Sequence, residues 1–208
     1  MSFPQLSIHL EFTPNPNTLK FSVNRVLLPS EIKGGRQYEA GAEAKQESQL
    51  ATELLEIPGV SAVFIGKDFV TVTKAETGDW DQVHQAVSEA LKSFLIQSEQ
   101  NPETHSIFNS TWLSEYRQSH AHTAEAQMSE GQDTKVTHQI REILDREIRP
   151  AVAMDGGDIT FDHFENGIVY LELKGACSGC PSSTATLKDG IEARLKSQIP
   201  EVKEVVSV

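Results

Sequence analysis

The sequence has almost no cysteine. Two occur in 208 residues, too few for the disulfide framework of a small secreted scaffold. Basic residues are also scarce: 18 Lys and Arg stand against 30 Asp and Glu, a formal net charge of −12. No stretch offers the phosphate-neutralising basic face of a nucleic-acid binder, so no nucleic acid is expected as a partner. Long apolar runs are missing, and no window approaches the ~18 residues of a membrane span. The first residues show neither a positive segment followed by an apolar run nor an Arg- and Ser-rich, acid-poor stretch, so no targeting segment is expected. These absences predict a soluble cytoplasmic protein with no membrane partner. In a reducing compartment its two cysteines would bind metal or carry redox chemistry.

What is present reads as two small domains. Leu6, Ile8, Leu10 and Phe12 alternate as a half-buried strand, and Leu19, Phe21 and Val23 resume the alternation after the turn formers Thr13-Pro-Asn-Pro-Asn17. A helix is expected from about Ala42 to Glu56, before Pro58-Gly59. Strands follow over 60–65 and 69–73 around the turn Gly66-Lys-Asp68, then a helix over 80–96 with Asp79 as its N-cap. Residues 30–42 read as irregular. The first domain, 1–97, is thus β-β-α-β-β-α, with a net charge of −4.

Residues 98–134, read as an acidic linker, carry −5, and their tail 119–134 has almost nothing to bury, which predicts flexibility. Its weak apolar patch, Ile107, Phe108, Trp112, Leu113 and Tyr116, suits a short helix docking on a partner or on the first domain. His105, His120 and His122 read as solvated. Order resumes over 135–208: a helix to about Pro150, a turn at Met154-Asp-Gly-Gly-Asp158, two strands around Glu165-Asn-Gly167, a helix over 182–198 and a last strand over 202–208. The fold class is α+β: two small α+β domains, β-β-α-β-β-α and α-β-β-α-β, joined by that linker.

Both cysteines lie in Gly175-Ala-Cys-Ser-Gly-Cys-Pro181. Thiols three positions apart can reach one metal centre, and Gly175 and Gly179 relax the backbone such a curl requires. Pro181 suits the start of the next helix, so Cys177 and Cys180 sit at a helix N-terminus. The positive end of the dipole favours thiolate there, and the amides of Ser182 and Ser183 point the same way. Both cysteines are expected to be exposed in this Gly/Ser/Pro loop. A structural zinc needs four ligands, and the only additions in this domain, His138 and His163, read as ordinary surface or half-buried histidines. An iron–sulfur cluster also wants four thiolates, which two copies of the chain would supply around a two-fold axis. Dithiol–disulfide exchange uses the same spacing, although the pair follows a hairpin and no Trp-Cys-Gly-Pro-Cys run is present. On the residues alone, metal or cluster binding, redox chemistry and a purely structural pair all stay open.

Longer motifs narrow the choice. Met154-Asp-Gly-Gly-Asp-Ile159, the run 175–183 and Thr186-Leu-Lys-Asp-Gly-Ile-Glu192 closely resemble the C-terminal domain of NifU, shared by the Nfu proteins. Thr13-Pro-Asn-Pro-Asn-Thr-Leu-Lys-Phe21, Ile57-Pro-Gly-Val60 and the run 63–74 resemble the Nfu N-terminal domain. The resemblance covers both domains and leaves mainly the linker unmatched. It lacks the cysteine-rich central part and the U-type N-terminal scaffold of full-length NifU, which makes this the short Nfu type. It implies a non-enzymatic scaffold or carrier of a labile cluster, commonly [4Fe–4S], bridged by the Cys-x-x-Cys pairs of a homodimer. Upstream assembly machinery would load the cluster and apo iron–sulfur proteins would receive it, with Cys177 and Cys180 as the ligands carried over. Asp155, Gly156 and Gly157 match a motif read here as a turn before a strand, with Asp155 and Asp158 capping it.

Overall fold

Period-two alternation builds the first sheet. In the computed structural model, which describes residues 5–32, 34–39, 41–121, 132–178 and 181–208, five antiparallel strands form it: β1 (Ile8–Phe12), β2 (Thr18–Val23), β3 (Arg36–Glu39), β4 (Val60–Ile65) and β5 (Phe69–Lys74), in the order β1-β2-β5-β4-β3. The register sets Leu19 opposite Val72, Phe21 opposite Val70, and Val63 and Ile65 opposite Val72 and Val70 on the other flank. These side chains share one face. They are buried in a core with Leu50, Ala51 and Leu54 of α2 (Gln49–Leu55) and Val83, Val87, Leu91 and Phe94 of α3 (Trp80–Gln100). Asp79 caps α3 as expected, its carboxylate accepting the Asp81 amide at 3.0 Å.

The opposite face carries Thr18, Lys20, Phe64, Phe69 and Thr71, and these too are buried: Lys20 is 8% exposed and Thr71 1%. The second domain covers them. Lys20 lies over the Phe69 ring at 5.0 Å, which leans on Phe64 at 5.9 Å between centroids. The sheet is therefore the middle layer of three.

Three elements depart from the sequence expectation. Residues 36–39, read as irregular, form the edge strand β3, where Tyr38 pairs with Val63 and is fully buried. The helix expected over 42–56 breaks at Ser48 into α1 (Ala42–Glu47) and α2. Ser48 caps α2 by accepting the Ala51 amide at 3.2 Å, while its hydroxyl donates to Ile107 O at 2.6 Å. That second bond belongs to the third departure. Much of the stretch read as linker is ordered against the first domain: α3 runs on to Gln100, Phe108 is buried in the first core, and α4 (Ser110–Ala121) packs Trp112, Leu113 and Tyr116 on it. Asn109 donates to the carbonyls of Lys45 and Gln46, satisfying the open end of α1. Arg36 stacks over Trp112 at 5.3 Å. The docked aromatic patch is one of the two placements its composition suggested.

In the second domain, α5 (Gln132–Ile143) does not stop before Pro150. One π-helical turn, Leu144–Ile148, leads into α6 (Arg149–Met154), with the Arg149 amide bonded to Leu144 O five residues back. The wider turn restarts the helix so that Pro150 falls in its first turn, where a missing N–H costs nothing. The sheet is β6 (Gly157–Glu165), β7 (Ile168–Gly175) and β8 (Glu204–Ser207). β6 and β7 pair antiparallel around Asn166 and Gly167, both at positive φ, and β8 runs parallel to β7 after the crossover helix α7 (Pro181–Gln198). Ile140, Leu144, Val152, Ile159, Val169, Leu171, Ile191 and Leu195 fill its separate core.

Phe108→Ala tests whether residues 101–121 belong to the first domain's packing. Removing a buried phenyl ring is expected to cost about 3 kcal/mol or more in urea unfolding of the chain; a change below about 0.5 kcal/mol is what a surface position gives.

Candidate functional site

The cysteine loop is the connection from β7 to α7. β7 ends at Gly175, whose φ of +67° turns the chain off the sheet. Ala176, Cys177 and Ser178 follow, and α7 begins at Pro181, so its first turn comes directly after the second cysteine of the motif. Gly179 and Cys180 lie outside the described residues. Cys177 differs from expectation: it is 5% exposed and joins the core of its domain rather than standing in solvent.

Gly157, the first residue of β6, accounts for that burial. A Cβ there would lie 2.6 Å from Cys177 Sγ and 2.7 Å from Lys174 O, so only glycine lets β6 lie this close to the thiol. Beside Cys177 opens a mainly apolar cleft of about 580 Å³ between α6 and α7, lined by Ile148, Ala151, Asp155 and Leu187, with Pro14 of the first domain at its edge. Glu147 ties the π turn to α7: Arg194 Nε reaches it at 2.6 Å and Arg146 Nη2 at 2.8 Å. These two guanidinium groups, Arg194 foremost, pull its carboxyl down from 4.5 to about 2.

The first domain closes on this loop through hydrogen bonds to two short segments. Thr71 Oγ1 donates to Gly156 O at 2.6 Å and Lys20 Nζ to Met154 O at 3.2 Å. The Gly35 amide donates to Asp158 Oδ2 at 2.7 Å, and the Gly175 amide donates to Gln37 Oε1 at 2.7 Å. Asn15 Nδ2 approaches the carbonyls on either side of Cys177, Ala176 O at 3.4 Å and Ser178 O at 3.5 Å. Asp158 does not simply cap its turn. Its buried carboxylate also accepts the Ile159 amide at 2.8 Å and pairs with Arg149 Nε at 3.3 Å. Asp155, by contrast, is exposed at the end of α6.

None of the described histidines approaches Cys177 as a ligand would. His163 stacks on Tyr170 at 4.1 Å and contacts Asp162 at 3.0 Å, His138 is exposed on α5, and His105 meets the Phe94 ring edge-on. The side chain of His120, and all of His122, lie outside the described residues. Among the described residues no group of three or more His, Cys, Asp or Glu side chains gathers on one point, and no helix is long and apolar enough to cross a membrane. Asn15, Gln37, Thr71 and the Gly35 amide were not singled out from the sequence. Asn15 and Thr71 do lie within the motifs 13–21 and 63–74, whereas Gly35 and Gln37 lie in no motif and carried no signal.

Fold and site together define a two-domain α+β protein that presents a Cys-x-x-Cys loop at the start of a crossover helix. Residues 140–206 match the NifU-like domain, and residues 8–99 match the N-terminal domain of the scaffold protein Nfu/NifU. Over 97% of this chain, it is 39% identical to the NFU1 iron-sulfur cluster scaffold homolog, mitochondrial, of Drosophila grimshawi. It is 37% identical to the human protein of the same name and 37% identical to a NifU-like protein of Schizosaccharomyces pombe. It spans 61% of the length of the first of these, 71% of the second and 72% of the third. A solved NifU-like protein from Saccharomyces cerevisiae superposes on 53% of this chain and 93% of its own, with 23% identity and a TM-score of 0.43, too loosely to carry an argument. The chain belongs to the Nfu/NifU family of iron–sulfur cluster scaffold proteins.

Gly157→Ala is expected to destabilise the second domain by roughly 1–3 kcal/mol in chemical denaturation, because a methyl group must displace either the thiol or a backbone carbonyl. An unchanged transition would show that the loop yields freely. Glu147→Gln is expected to lower the thermal midpoint at pH 7. A depressed carboxyl contributes stability above its unfolded value and loses it as pH falls through its folded value. The gap between wild type and variant should therefore close as pH drops from about 5 towards about 2.

Proposed function

We propose that this chain is a non-enzymatic scaffold and carrier that binds a labile iron–sulfur cluster, of the [4Fe–4S] type, between two copies of itself and passes it to apo-proteins. The observation that carries this reading is the placement of Cys177 in the β7–α7 loop, at the entry of a helix whose positive end favours thiolate. Cys177 and Cys180 are the only thiols in the chain. A cluster needs four, so two chains must share it. Family membership supports the same cargo.

The cluster is cargo, held at a subunit junction by two thiolates from each side. Transfer is ligand exchange: an acceptor thiolate bonds to iron while a bridging thiolate leaves it, with no net change in oxidation state. The acceptors are apo iron–sulfur proteins, and the supplier is upstream assembly machinery. Thiolates of this kind require a reducing compartment. The cytoplasm provides one, as does the mitochondrion for which several relatives are named.

Anaerobic reconstitution with iron and sulfide is expected to give a brown dimer with about four iron and four sulfide per two chains. Cys177→Ala and Cys180→Ala should each abolish the colour, and His163→Ala should leave it unchanged. A colourless monomer that turns over a protein disulfide without iron would overturn the reading in favour of dithiol–disulfide exchange.

A further inference from the structure

The two domains meet without sharing a core. One hydrophobic cluster lies within the first domain and a second within the other. What joins them is the outer face of the first sheet, where Phe64 and Phe69 are buried among polar groups, with hydrogen bonds from Asn15, Lys20, Gly35 and Thr71 and one to Gln37. Among the described residues, every group so addressed in the second domain apart from the Asp158 carboxylate is main chain. The groups addressed fall within 154–158 and 175–178, the two segments that hold Cys177 between them. Relative motion is the default where two domains of a chain meet without a shared core.

Cys177 is buried in the core of its own domain while the first domain holds the backbone on either side of it, yet a thiolate shared between two chains must stand at a surface. The side chain of Asn15 addresses the carbonyls on both sides of it, and Pro14 edges the cleft beside it. The first domain thus lies against the backbone on both sides of Cys177 and lines part of the cleft next to it.

We propose that the outer face of the first sheet is a latch for the cysteine loop of its own chain: it docks in cis on 154–158 and 175–178, and it lets go when a second copy shares the cluster. This rests on the reading that the cluster bridges two chains. Because the domains are tethered, the released face stays at high effective concentration and re-docks when the cluster leaves, returning the thiol to cover. The occupant of the surface is this chain's own loop, recognised through backbone carbonyls and one buried carboxylate.

The test uses the full chain. In a Cys180→Ser background without cluster, alkylation of Cys177 by N-ethylmaleimide is timed for three further changes. Asn15→Asp keeps the carbonyl that accepts the Asn17 amide but removes the donor, Thr71→Val preserves shape, and Gln37→Ala alters a half-buried edge residue. Labelling should accelerate by roughly 2- to 10-fold per hydrogen bond lost, with faster exchange of the Gly35 and Gly175 amides. Unchanged labelling in variants whose circular dichroism matches the parent overturns the latch. Separately, wild-type chain is reconstituted anaerobically. If the cluster-loaded dimer exchanges the Gly35 and Gly175 amides faster than the apo chain, the latch is supported. If the dimer forms and those amides stay as protected as before, the latch is wrong and the scaffold reading stands. If no cluster is taken up, the scaffold reading fails, and the apo labelling alone decides whether the docking covers Cys177.

Discussion

A carboxylate buried between two domains must be answered by donors from both, and much of this molecule's arrangement follows from how Asp158 is answered. Arg149 of α6 supplies the charge, the Ile159 amide supplies a local donor, and the Gly35 amide crosses from the other domain. Leaving any of these unmade would strand a desolvated charge, which is costly. Arg149 also donates to Ile159 O at 2.9 Å, so the same guanidinium locks α6 to β6. α6 forms one wall of the cleft beside Cys177, and β6 brings Gly157 against the thiol. Asp158 therefore ties the cysteine's surroundings to the edge of the first sheet.

The first sheet meets this demand with residues that look out of place in it. A lysine and two threonines sit on central strands, where an isolated two-layer domain would expose them. Thr18 donates to Asn15 O within its own domain, whereas the lysine and the other threonine reach carbonyls at the end of α6 and in the turn after it, the groups a helix C-terminus leaves unsatisfied. Lys20 serves Met154 O and Thr71 serves Gly156 O. Polar satisfaction thus works beside the burial of Phe64 and Phe69 in holding the domains together.

Local chemistry made most of the fold legible in the sequence. Alternation located β1, β2, β4 and β5; Asn166-Gly167 located the hairpin; Asp79 located the start of α3; and Pro181 the start of α7. What escaped was non-local. β3 is four residues long and carries an arginine and a glutamate, so it has no periodicity to read, and only Tyr38 opposite Val63 defines it. The break at Ser48 is stabilised by Ile107, 59 residues away. Pro150 is a stop signal unless the helix widens first. In the site, the loop and its helix were readable, whereas the burial of Cys177 depends on Gly157 and so on the pairing of β6 with β7. The role of Asp158 depends on a glycine 123 residues earlier.

The parallel strand at the sheet's far edge has a consequence for synthesis. β8 pairs with β7 only after α7 has crossed over, and Ile191, Leu195 and Val205 complete the core on which Cys177 rests. A nascent chain that has already emerged through both cysteines, but not yet through residue 207, lacks the floor of the pocket. The ribosome thus delivers the Cys177 thiol before its housing. Until the last strand is made and seated, Cys177 lacks part of the core that buries it.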